Sequence, residues 1–281
     1  MYFGALSISN YEALSIMQKT ARVLLISLLA FGGYMILSKL FFRDWFTWMN
    51  DALQLKGTSY ILTYIGVGFP IIAGTLILHR GQQFLGNLGL NASILRGGLF
   101  ALLCTLPMFI GFAIVFEFNT ELTAYTILTS VIAAGFFEEL YFRGFLFGQV
   151  FRNSRLGFIL SVILGALIFG SVHLYQGNSL GESTGIFMVT FMGGVLFAWV
   201  YAEWDFNLWT SIFLHMFMNL AWGLFSAGSN ALGSMYSNIF RVLTIALAII
   251  LTIRYKRRKG LKLAVNRKTL LLKSEDWEGL A

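Results

Sequence analysis

Three short patterns in this 281-residue chain hold the residue types that peptide hydrolysis needs. Glu138, Glu139 and Arg143 fall within the apolar run 136–144, Phe169 and His173 are four apart, and so are His215 and Asn219. An ionised side chain in the middle of a bilayer costs at least about 2.5–3.5 kcal/mol, so three within six positions demand a protein interior or a water-filled cavity. Glu139 and Arg143, one helical turn apart, are placed to pair. Glu138 points about 100° away around the helix and is left to meet another span. Four-residue spacing aims His215 and Asn219 at one point, and sets Phe169 where its ring can wall His173 from lipid. The third histidine, His79, adjoins Arg80 at a helix end and reads as an interfacial side chain.

Each group has a structural use when taken singly. A Glu–Arg pair can lock two helices, a buried imidazole can bond a carbonyl, and an Asn can bridge spans. Together, two carboxylates, two imidazoles and a carboxamide supply a base, a set of metal ligands and oxyanion donors.

The elements that must bring them together are membrane helices. Hydrophobic residues make up 57% of the chain and charged residues 12%, too little polar surface for a soluble globule, so the solvent is largely lipid. Eight apolar stretches of spanning length lie at 21–42, 60–78, 97–116, 124–150, 156–173, 185–201, 208–225 and 239–253. Only helices satisfy their backbone in lipid without a closed barrel, and no alternating barrel pattern is present. The fold class expected is all-α, a polytopic transmembrane bundle of about eight spans. It divides into an N-terminal cytoplasmic segment (1–20), a bundle (21–254) with its chemistry-bearing core at about 123–226, and a basic cytoplasmic tail (255–281).

The start of the chain lacks the pattern of a removable signal peptide. Cys104 is the single cysteine, so it forms no intrachain disulfide and supplies no paired thiolates. The net charge of +7 comes from Lys and Arg beside apolar spans, which fits cytoplasmic anchoring and not nucleic-acid binding. Lys and Arg in short connections put both termini inside, with Glu117, Glu121 and Glu182 on the opposite side. Glycine pairs such as Gly97-Gly98 and Gly193-Gly194 are read as helix-packing positions. The tail from Lys262 onward is polar enough to lie in water or on the membrane surface.

Glu138-Glu139-x-x-x-Arg143, Phe169-x-x-x-His173 and His215-x-x-x-Asn219 resemble, in order and spacing, the three motifs of the CAAX-protease and bacteriocin-processing membrane endopeptidases (CPBP, or ABI, family). The resemblance covers about Phe136 to Asn219. It implies a bundle whose cavity holds the site, and hydrolysis of a peptide or membrane-protein substrate within or near the membrane; the compact chain with its basic tail suits a plasma membrane.

Two mechanisms fit these residues. In one, Glu138 and His173 hold and deprotonate a water, His215 and Asn219 donate to the oxyanion, and the Glu139–Arg143 pair fixes the helix. In the other, Glu138, His173 and His215 bind Zn²⁺ and the remaining glutamate acts as base, as in His₂Glu metalloproteases. The cofactor is thus either Zn²⁺ or none. A His-Glu-x-x-His helix is missing, and the ligands would come from three separate spans. Two rival functions remain in view: a non-catalytic immunity or scaffold protein, and a transporter, which the scarcity of proline and the lack of internal repeats disfavour.

Overall fold

The computed structural model describes residues 3–273, with side chains from residue 14 onward. Every one of the eight apolar stretches is helical. Helix α1 (Phe3–Leu53) runs without interruption through the first, so residues 3–20 form no separate element. The second is broken into α2 (Lys56–Val67) and α3 (Phe69–His79), bent by 44°. Pro70, in the first turn of α3, has no N–H to return to the preceding turn. Beside this break the Tyr141 hydroxyl donates to Tyr64 O at 2.8 Å, and a Cβ at Gly68 would collide with that hydroxyl.

The remaining long helices are α4 (Ile94–Val115), α5 (124–153), α6 (Phe158–Val172), α7 (Leu180–Glu203), α8 (Leu208–Leu224) and α9 (Met235–Arg258). Among the described residues, five helices are long and apolar enough to span a membrane, or six if the bent α2–α3 pair is one span. Two expected spans fall outside that count for physical reasons. Helix α5 is interrupted by two stretches of π-helix, Ile127–Ala133 and Glu139–Phe147, and α8 has only 17 residues. The most apolar windows of the five long helices are only 22–44% buried. Their outward faces present side chains such as Leu29, Leu95, Ile114 and Val242, a surface that only lipid would cover favourably. The chain is an all-α polytopic membrane protein.

Small residues set the closest approaches. A Cβ at Gly97 would lie 2.7 Å from Trp209 on α8, which lets α4 and α8 pack tightly. Gly193, by contrast, faces open space.

After α9 the chain folds back as an irregular strap, residues 259–273. It lies against the bundle instead of extending into water. The buried Glu203 carboxylate, 3.3 Å from Lys256 Nζ, accepts the backbone N–H groups of Ala264 and Val265, both at 2.9 Å. Three amides at the start of α6 donate to strap carbonyls: Gly157 to Leu271 (2.6 Å), Phe158 to Thr269 (2.7 Å) and Ile159 to Leu270 (2.9 Å). These are the amides a helix leaves without intrahelical partners, so the strap serves as the N-terminal cap of α6. Lys273 Nζ donates to Phe151 O and to Ser154 O, joining the end of α5 to the same strap. The last eight positions of the expected tail, 274–281, lie outside the described residues.

Candidate active site

Helix α5 carries Glu138 and Glu139 where its α-helical turn widens into the second π stretch. Wide turns of this kind are frequent at functional sites because they redirect neighbouring side chains. Glu139 is fully buried, and its Oε1 lies 3.0 Å from Arg143 Nη1, the pairing that their spacing leads one to expect. The guanidinium also sits over the rings of Phe169 (4.4 Å) and Phe197 (5.3 Å), whose faces attract the buried cation.

The same Oε1 of Glu139 is 2.8 Å from His215 Nδ1. An ionised carboxylate only accepts, so Nδ1 carries the proton, and Nε2 is the nitrogen left for chemistry. That Nε2 lies 4.0 Å from Oε2 of Glu138, whose side chain is 22% exposed. His215 therefore stands between the two glutamates, bonded to the inner one and facing the outer. Phe197 stacks on its ring at 5.3 Å and holds the ring plane. Gly135, one turn before Glu138, permits this approach, because a Cβ there would be 2.6 Å from Met216 on α8.

Asn219, the next turn of α8, also faces α5: its Nδ2 donates to Ser130 O at 3.0 Å. One amide hydrogen is committed by that bond, and the second remains for another acceptor.

His173 caps the C-terminus of α6. Together with the turn that follows, Phe158–Gln176 is long and apolar enough to span a membrane, so His173 lies near one end of that span. Its Nδ1 is 2.6 Å from Phe169 O, an obligate acceptor, which again leaves Nε2 as the reactive nitrogen. The Phe169 ring lies 4.6 Å from the His173 ring and 6.5 Å from the His215 ring, walling both imidazoles. No direct bond joins His173 to Glu138 among the described residues. The third histidine, His79, is 2.6 Å from Gln149 Oε1, a structural bond away from the cluster.

Several contributors carry no signal in the sequence. Ser130 acts through its backbone carbonyl, and Phe197 is one of 28 phenylalanines. The turn after His173 is fastened by the α8–α9 connection: Gln176 Oε1 accepts from Ala231 N (2.8 Å), and Glu182 bonds both Asn178 N (2.7 Å) and Asn230 Nδ2 (2.5 Å). Arg241 Nη2 in turn donates to Ala231 O at 2.8 Å.

Beside the cluster, α2, α3, the segment 84–90 and α5 border a half-open cavity of about 340 Å³ lined almost wholly by apolar side chains, among them Ile61, Ile65, Ile72, Phe136 and Leu140. Phe137, the neighbour of Glu138, also lines it.

With that arrangement in view, residues 119–221 match the family model described as Rce1-like, type II CAAX prenyl endopeptidase. The matched segment is a little over a third of the chain and contains all seven residues of the three motifs, from Glu138 to Asn219. That match is consistent with the CPBP resemblance of the three motifs. No curated protein and no solved structure matches the chain.

Proposed function

We propose that this protein is an intramembrane endopeptidase that cleaves its substrate with a glutamate-activated water. The observation that carries the reading is the position of His215, 2.8 Å from Glu139 and 4.0 Å from Glu138. Glu138, partly exposed and not engaged by Arg143 as Glu139 is, is the base. It takes a proton from a water that His173 Nε2 orients by accepting the water's other hydrogen. The hydroxide attacks the peptide carbonyl carbon, and the oxyanion that forms receives hydrogen bonds from Asn219 Nδ2 and from His215 Nε2. For His215 to donate there it carries a second proton, and the carboxylates on either side compensate that charge. Collapse of the intermediate breaks the C–N bond, and Glu138 returns its proton to the departing amine. Arg143 keeps Glu139 fixed and takes no part in proton transfer.

A zinc form of the site would use Glu138, His173 and His215. The Nδ1 bonds of both histidines suit metal ligands, whose second nitrogen is commonly held by a carbonyl or carboxylate. The donor set does not: among the described residues no three His, Cys, Asp or Glu side chains form a group that could hold an ion. The metal-free route is therefore the one proposed.

The substrate proposed is a peptide or membrane protein presented from the bilayer. A matched family named for prenyl substrates and an apolar cavity beside Glu138 both favour a substrate that brings an aliphatic group to the site. The location proposed is a plasma membrane, with both termini on the cytoplasmic side, from the placement of Lys and Arg. The test is cleavage of a quenched peptide library by purified protein in liposomes, wild type beside Glu138→Ala and His173→Ala. Loss of cleavage in both variants is the expected result, and cleavage that survives both changes contradicts the mechanism.

A further inference from the structure

Residues 254–273 contain nine Lys or Arg and no acid, and with Glu275, Asp276 and Glu278 the segment 254–281 still carries a net charge of +6. Only part of that charge is used inside the fold. Lys256 is buried against Glu203, 3.3 Å away, and Lys273 is buried on backbone carbonyls. Arg257, Arg258, Lys259, Lys262 and Arg267 are exposed on the strap and on the end of α9 that leads into it.

The same segment is also apolar in an unusual way. Leu270, Leu271 and Leu272 are 39%, 54% and 63% exposed, although their segment is firmly attached. The attachment explains the exposure. Thr269, Leu270 and Leu271 bond α6 through their backbone carbonyls, and a bridge pairs Leu272 with Leu156, so the leucine side chains are held away from the bundle. A run of leucines beside exposed guanidinium and ammonium groups, at the end of a membrane helix, has the two-part chemistry of the headgroup layer: acyl chains for the leucines, phosphates for the cations.

We propose that the strap is an interaction surface for anionic lipid headgroups, and that lipid engagement tightens its hold on α5 and α6. The surface lies apart from the hydrolytic site and stands whether or not the chain is a peptidase. Because the strap caps α6, which ends at His173, and bonds the end of α5, which carries Glu138, lipid bound there reaches both helices through hydrogen bonds already formed. A soluble acidic protein would satisfy the cations but would leave the leucines unexplained.

The experiment is hydrogen exchange of the Gly157, Phe158 and Ile159 amides in the full-length protein. It is run in nanodiscs of phosphatidylcholine alone and of phosphatidylcholine mixed with phosphatidylglycerol, at constant pH. Exchange about tenfold slower with the anionic lipid is expected, with the difference disappearing at high salt. In the combined variant Arg258→Gln, Lys262→Gln, Arg267→Gln the two nanodiscs should give equal rates, while in neutral lipid this variant matches wild type and so reports an intact fold. Equal rates for wild type in both lipids, or protection that persists in the charge variant, would overturn the proposal. Equal protection by polyglutamate added to neutral nanodiscs would overturn it in favour of an acidic protein partner.

Discussion

Nδ1 of His215 lies 2.8 Å from Oε1 of Glu139, the carboxylate oxygen that also faces Arg143 at 3.0 Å. One buried oxygen thereby ties α8 to α5 and sets which nitrogen of His215 meets Glu138. The inner glutamate is a positioning group, and the outer one is left for chemistry.

This division predicts opposite phenotypes for adjacent residues. Glu139→Gln strands Arg143 as a buried charge with no counterion, and should cost about 3–5 kcal/mol of stability. Adding Arg143→Met to that variant should recover a large part of the loss, since the uncompensated charge is removed with its partner. Thermal unfolding in detergent reads both effects. A Glu139→Gln protein as stable as wild type would show that the pair does not anchor the helices.

The turn that follows His173 is held from the α8–α9 connection, so its fastenings should matter to turnover although they lie away from the reacting atoms. Gln176→Ala removes the acceptor for Ala231 N, a net loss of about 1 kcal/mol locally. The expected result is a several-fold fall in kcat with KM little changed, because His173 is displaced and the substrate surface is not. Gln176→Glu, which keeps an acceptor at the same reach, should restore most of the rate. Equal rates for all three proteins would separate the loop from the site.

Lys273 makes the attachment of the strap depend on pH. Burial, with smaller contributions from Lys19 and Arg155, pushes its pKa down from 10.5 to about 7. The detached strap therefore binds a proton more tightly than the docked one. Between pH 7 and 10.5 docking weakens as pH falls, and below about 7 the dependence levels off. A spin label at Leu272→Cys should become more mobile on titration from pH 10 to pH 7, and Lys273→Met should abolish the change. Mobility that rises with pH would reverse the sign of this account.

Metal removal gives an independent check on the donor geometry. Because no three ligating side chains gather among the described residues, peptide cleavage should survive a chelator that demonstrably strips divalent ions from the preparation. Inactivation that Zn²⁺ reverses would mean that Glu138, His173 and His215 close into a metal site that this arrangement does not contain.

Much of the bundle was legible because lipid imposes a simple rule, and each long apolar run became a helix. The motif residues stood out for the same reason, as charges where the solvent rejects them. The break at Gly68 and Pro70 was harder to read, since its cause lies partly in Tyr141 arriving from another helix. Ser130 and the strap were illegible for a further reason: both act through backbone carbonyls, which every residue possesses. Phe197 was hidden by abundance, because nothing in a sequence rich in phenylalanine marks the ring that stacks on an imidazole.

The central claim is that Glu138 performs chemistry while the groups around it hold the site together. Its most direct test is the substitution Glu138→Gln, which preserves size and hydrogen bonding but removes the base, assayed for peptide cleavage and for thermal stability on the same preparation. The account predicts a loss of about 10²–10⁴-fold in kcat with an unfolding temperature close to wild type. Cleavage at the wild-type rate by a folded Glu138→Gln protein would contradict it.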